Sequence, residues 1–368
     1  MSDSFNFDPY GRSVNPDGSD QSALDAASLT PGARLADLDL AGSDLRGRDL
    51  QDVIFERIDL RGVDLSGANL ARATVRGCDL SMAKLDGVIL DGSQWSGSTL
   101  AGGSIAEARG HTATFMQTVL TGANLQGAQF EQSVFDRCDL SAASFASARL
   151  FRCDATGCVF DACDFSRADL TRFTALAGKL AQAVFADTSL RQAFFTNADL
   201  TGQRFPGCDL TLCQFAGAQL VKADFGRSRL TQTRFDKAVL GGASFAGAHG
   251  EQVRFSGAQM DGADLTGAQF VIADFSAARM TGARCDGTRF VQANLSGASL
   301  QRATLTGALF IDCDCSHVDL SEADCARADF GNADFHALID ERTHWGNAAR
   351  ERTRPTDLLR LRAETWQG

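Results

Sequence analysis

Between Leu35 and Phe335, every residue whose number is a multiple of five is apolar, with four exceptions. Of these 61 positions 28 are Leu, 21 are Phe and eight more are Val, Ile, Met, Trp or Cys. Gly110, Ala155, Ala175 and Gly250 break the rule, and none of them shifts the register. Two residues before each large position stands a small one, as in Ala123, Ala128, Ser133 and Cys138. The other three places are polar or Gly, as in TGANL and QGAQF at 121–130, and so face solvent. A period of five fits neither a helix nor a flat strand, so the chain has to turn at every repeat. If four such sides close a coil, a position recurs directly above itself twenty residues later and each coil pairs with its neighbours. At one inter-strand spacing of ~4.8 Å per coil, about fifteen coils make a rod on the order of 70 Å long.

The twenty-residue recurrence predicts which side chains stack. Phe185, Phe205, Phe225 and Phe245 form one column and Phe195, Phe215, Phe235, Phe255 and Phe275 the opposite one, with Leu190 to Leu240 in steps of ten between them. Such columns provide dense packing with offset aromatic stacking added. Ala155 and Ala175, on consecutive coils of one face, leave the core thin. Phe173 compensates beside Ala175. Nothing comparable is evident beside Ala155, where narrowing or a small void is expected.

The segments ANLQGAQF, ADLTGAQF and ANLSGASL resemble the A(D/N)Lxx motif of the pentapeptide-repeat family over residues 33–337. The resemblance implies an all-β fold, a right-handed quadrilateral β-helix; the spacing by itself supplies only the turn and the stacking. Three segments follow. Residues 1–32 are a flexible N-terminal tail and cap, 33–337 the β-helix, and 338–368 a C-terminal cap and helix. The open ends of a solenoid need covering. At the start, ALDAASLTPGA (23–33) is suited to a short helix or turn. At the end, Trp345 is placed to cover the last coil, and a helix from about Thr356 carries Leu358, Leu359, Leu361 and Trp366 on an apolar side. Capping and dimerisation through this segment both stay open.

Hydrophobic residues make up 44% of the chain, enough to exclude wholesale disorder, and no apolar run is long enough for a membrane span. No secretory signal is visible at MSDSFNFDPYGRS, so a cytoplasmic site is expected. A net charge of -11 makes nonspecific or direct nucleic-acid binding unexpected. All eleven cysteines fall on inward positions, eight at the small place and Cys285, Cys315 and Cys325 at the large one. Even FRCDATGCVFDACDF (151–165), with Cys153, Cys158 and Cys163 at intervals of five, obeys the core register. That pattern suits buried reduced thiols better than a metal or redox set. Only Cys138 and Cys158 stack in one column on adjacent coils.

The five histidines are scattered, and the chain holds no HExxH, GxSxG, phosphate loop or paired CxxC. No catalytic, cofactor or metal site is expected, and an enzyme is not. One uneven feature is an acidic belt at the end of the repeats: Asp314, Asp319, Asp324, Asp329 and Asp334, with Asp312 and Glu322 nearby. Between residues 311 and 335 the only cation among Arg and Lys is Arg327. The belt reads either as a solvated face or as a docking patch for a basic protein partner. The composite reading is a non-catalytic, rod-shaped protein-interaction scaffold or adaptor, for a bacterial multiprotein assembly such as a secretion apparatus, as a monomer or a C-terminally mediated homodimer. The alternative comes from the family resemblance, which includes DNA-mimicking proteins that bind and protect gyrase. Arginines at 204, 229, 234, 254, 279, 284 and 289 interrupt the negative surface that such a topoisomerase binder would present.

Overall fold

A computed structural model describes residues 29–366, together with the backbone pairing of β1 (Asn6–Phe7) with β2 (Ser13–Val14). Apart from that pairing, the expected tail over residues 1–22 and most of the 23–33 cap lie outside the described residues. The chain forms two compact units, Met1–Arg149 and Leu150–Gly368, and each is a four-sided β-helix.

In the first unit six strands, β3 (Arg34–Ala36), β4 (Ile54–Glu56), β5 (Thr74–Arg76), β6 (Gln94–Ser96), β7 (Thr114–Met116) and β8 (Val134–Asp136), pair in parallel in that order. The register is twenty residues, so that Leu35 lies against Phe55, Phe55 against Val75 and Trp95 against Phe115. The remaining sides are single parallel bridges at the same interval, such as Asp44 to Asp64 and Asn69 to Ile89. In the second unit nearly every side is of this bridged kind, one column running in steps of twenty from Asp154 to Arg354. Among the described residues there, only β9 (His249–Glu251) and β10 (Gln269–Val271) are long enough to count as strands.

Nearly every corner takes a left-handed residue. Glycine supplies it without cost at Gly122 (φ 66°), yet Arg72 takes the same conformation (φ 58°). The Arg72 N–H donates to the carbonyl of Asp91, 2.7 Å away on the next coil, so the conformation is held by the ladder.

The interior follows the register. Phe205, Phe225 and Phe245 stack with centroids 5.4 and 4.9 Å apart, and Phe215, Phe235 and Phe255 at 5.1 and 5.0 Å. The two columns meet edge to face, as between Phe225 and Phe235 at 5.2 Å. Two compensations were not anticipated. Phe173 lies 6.3 Å from Phe160 and 6.1 Å from Phe165, so it also fills space in the coil of Ala155. At Gly110 a Cβ would stand 2.5 Å from the Phe130 ring, which occupies the space that the missing side chain leaves.

The coil also does not end at residue 337. Parallel bridges join Asp319 to Ile339, Asp324 to His344, Asp329 to Ala349 and Asp334 to Arg354. Backbone pairing with a finished coil is enough to wind one more turn, even where the repeat motif has lapsed. Helix α1 (Leu358–Thr365) follows, its first turn capped by the Asp357 carboxylate, which accepts from the N–H groups of Leu359 and Arg360.

Candidate functional site: the C-terminal end

Trp345 stands over the end of the core, 5.5 Å from Phe330 and 6.1 Å from Phe335. Its indole donates to Asp340 at 3.2 Å, and the Arg350 guanidinium lies 4.2 Å from the ring centroid.

The leucines of α1 do something else. Leu358, Leu359 and Trp366 are 66, 77 and 80% exposed, Leu361 is half-buried, and no residue of the helix is buried. The reading of Leu358, Leu359 and Trp366 as a cover for the last coil is corrected. Hydrophobic spacing shows that a helix has an apolar side without showing which way it faces, and polar contacts decide that here. Glu364 Oε2 lies 3.0 Å from Nε2 of both His317 and His336, and its Oε1 accepts from Arg360 at 2.8 Å. His336 is buried, and its Nδ1 accepts the backbone N–H of Asp357 at 3.1 Å. Hydrogen bonds from His336 and Arg360 hold the Glu364 carboxyl down at about 2. The helix is thus clamped through its polar side.

His317, His336 and Glu364 bring three ligand-type atoms within 4.8 Å of one another. They do not suit a metal. With Nδ1 accepting a backbone N–H, neutral His336 must carry its proton on Nε2, which leaves that atom a donor to Glu364. Zinc ligation requires the opposite tautomer with a second acceptor behind it. Arg360 adds a positive charge beside the carboxylate.

The acidic belt is largely occupied by its own fold. Asp314, Asp319, Asp324, Asp329 and Asp334 each accept the backbone N–H two residues on, at 2.9 to 3.0 Å. This is the local turn bond that makes Asp favourable before each large residue. The added turn brings Arg342 to 2.5 Å from Glu322, Arg354 to 3.9 Å from Asp334 and the His344 ring to 2.9 Å from Asp324, while Arg302 of the preceding coil lies 3.0 Å from Glu322. Asp312 accepts from Asn332 at 2.9 Å. A hydrogen bond from Arg302 and the charge of Arg342 hold Glu322 below the usual carboxylate range. A patch counted only to residue 335 therefore overstates the local negative charge.

Ten cysteines are buried and Cys208 is half-buried. Several behave as hydroxyl substitutes at the small inward position. Cys213 Sγ lies 2.8 Å from the Leu190 carbonyl, the relation that Thr233 has to Leu210 and Thr288 to Leu265. Burial pushes the thiols of Cys213, Cys313 and Cys325 up to about 12, and those of Cys163, Cys285 and Cys315 upward as well.

Twenty-residue parallel pairing, an apolar interior in each unit and side chains displayed on four sides define a β-solenoid repeat scaffold. The sequence matches the family model described as pentapeptide repeats across residues 32–92, 113–173, 179–232 and 233–336, and the chain belongs to that family. Among solved structures it is similar to HetL from the cyanobacterium Nostoc sp. strain PCC 7120, described as involved in heterocyst differentiation regulation. That likeness is 22% identity over 82% of this chain and 92% of that one, with a TM-score of 0.22. It is also similar to full-length QnrB1, a plasmid-mediated fluoroquinolone resistance protein, at 19% identity over 62% and 92% with a TM-score of 0.21. Rfr23 from the cyanobacterium Cyanothece 51142 is 23% identical over 34% and 89%, with a TM-score of 0.16. Scores this low carry no argument about function. No curated protein matches the sequence. No described helix is long and apolar enough to cross a membrane.

Proposed function

We propose that this chain is a non-catalytic interaction scaffold that docks a protein partner through its C-terminal end. The observation that supports this best is a helix clamped by its polar side with Leu358, Leu359 and Trp366 facing solvent. Exposed apolar side chains on an ordered element mark a contact surface. The belt beside it, from Asp312 to Asp334, adds a negative rim that suits a basic or mixed-charge partner. The partner's membership of a larger bacterial assembly belongs to the same reading.

Affinity capture with the full chain and with residues 336–368 deleted tests it. A specific partner held by the first and lost by the second is expected. Sedimentation at several concentrations separates a second copy from a different protein. The topoisomerase reading has the acidic belt in its favour and the paired arginines against it. Inhibition or quinolone protection of gyrase supercoiling at micromolar protein would replace the scaffold reading with that one.

A further inference from the structure

In the second unit, the coil of residues 170–189 is joined to the coil of 190–209 on two sides and parted from it on the other two. On the joined sides Ala175 donates to Phe194 at 2.8 Å, Phe194 to Phe173 at 2.8 Å and Leu180 to Asp199 at 2.9 Å. On the parted sides, among the described residues, no backbone hydrogen bond links Gln182, Phe185 or Asp187 to the coil above, or Leu190 to Asp209. The bridges that the register requires from Val184 to Arg204 and from Ser189 to Asp209 are missing there.

Gln203 occupies the first of these missing rungs. It stands at the small inward position, where Ala183 precedes it and Ala223 follows it by twenty residues. A carboxamide in that place cannot be left unbonded in an apolar core. Its Nε2 donates to the carbonyls of Leu180 and Ala183 at 2.6 and 2.8 Å, and its Oε1 accepts from the Arg204 N–H at 3.3 Å. The side chain thereby takes both the acceptor and the donor that would have formed the Ala183–Arg204 rung, and it wedges the strands apart. A cavity of about 480 Å³ opens there, lined by Val184, Phe185, Asp187, Arg204, Pro206 and Cys208 among others. Val184 is 46% exposed on its lip.

The lips carry the main-chain groups of the missing rungs, with small apolar side chains between them and one charge of each sign, Asp187 and Arg204, in the lining. What satisfies both lips is another main chain. We infer that this opening is a binding site for an extended peptide segment, held by backbone pairing with the unzipped rungs and by apolar contact with Val184 and Pro206. Recognition by strand addition draws affinity from the backbone and selectivity from alternate side chains. This site is separate from α1 and does not depend on it.

The experiment pans a phage-displayed library of short linear peptides on the full chain, with the Gln203→Ala variant as counter-target. Alanine there restores the residue found one coil on either side, so the variant is expected to fold and to close its ladder. Peptides enriched at least about tenfold on the natural chain over the variant are expected, and N-methylation of their alternate amides should weaken binding by a further factor of about ten or more. Amide exchange at Phe185, Asp187 and Leu190 should be fast in the free protein and slow both with peptide bound and in Gln203→Ala. Val184→Lys, on the exposed lip, should block the peptide with the fold intact. Equal enrichment on both targets, no enrichment, or binding indifferent to N-methylation would overturn the inference.

Discussion

Glu364 on the C-terminal helix reaches the buried His336 ring at 3.0 Å, twenty-eight residues back in the chain, and this pair fixes which face of the helix meets solvent. Replacing Glu364 with Ala should release α1 while leaving the coils folded. Exchange of the Leu361 amide, bonded to the Asp357 carbonyl at 2.9 Å, should then rise by about tenfold or more, since short isolated helices are marginal. An unchanged rate would show that the clamp is not what holds the helix.

The same pair makes the helix acid-sensitive. The Glu364 carboxyl titrates at about 2 when folded and near its ordinary 4.5 when released, so its contribution is complete above that ordinary value and is lost as the pH falls from 4.5 towards 2. Amide exchange in α1 followed from pH 6 to pH 2 should report loosening in that window. In Glu364→Ala the dependence should flatten.

Alkali should act on the core instead. A buried thiol stays protonated in the fold but ionises at its ordinary value near 9 once unfolded, so unfolding releases protons above that pH. Stability is therefore level below about pH 8.5 and falls as the pH rises towards about 12, with Cys213, Cys313 and Cys325 contributing. Chemical denaturation at pH 8 and pH 10.5 should show the loss, and a Cys213→Ser, Cys313→Ser and Cys325→Ser triple variant should show less of it.

Gly110→Ala should cost about 1 to 3 kcal/mol, because the new methyl meets the Phe130 ring and a packed core resists added volume. Phe130→Leu in the same chain should recover part of the loss. A neutral single variant would mean that the ring moves aside freely.

Leu359→Glu on the exposed helix face should change stability by less than about 0.5 kcal/mol, as surface substitutions usually do. It should nonetheless abolish capture of the C-terminal partner. Retained binding would remove the helix from the docking surface.

Local pattern fixed a great deal of this protein. A residue at every fifth place either fits a narrow apolar interior or does not, so period, inward pairs, Phe columns and thiol burial were all legible one residue at a time. The relations that escaped that reading are between residues far apart in the chain, on adjoining coils or across the end. Phe130 filling the gap at Gly110 and Phe173 serving the Ala155 coil depend on which way a ring leans. Gln203 looks like an ordinary polar substitution until its carboxamide is seen taking a rung of the ladder. The turn from 338 to 354 winds because a finished coil offers unpaired backbone, whatever the motif says. The apolar side of α1 faces water because His317 and His336 hold Glu364 on the opposite side. The sequence by itself determined the coil, since burial at a strict interval of five is a local constraint. Only the tertiary structure decided where the coil opens, where it ends and what its last helix presents, because those depend on hydrogen-bond partners brought together by the winding.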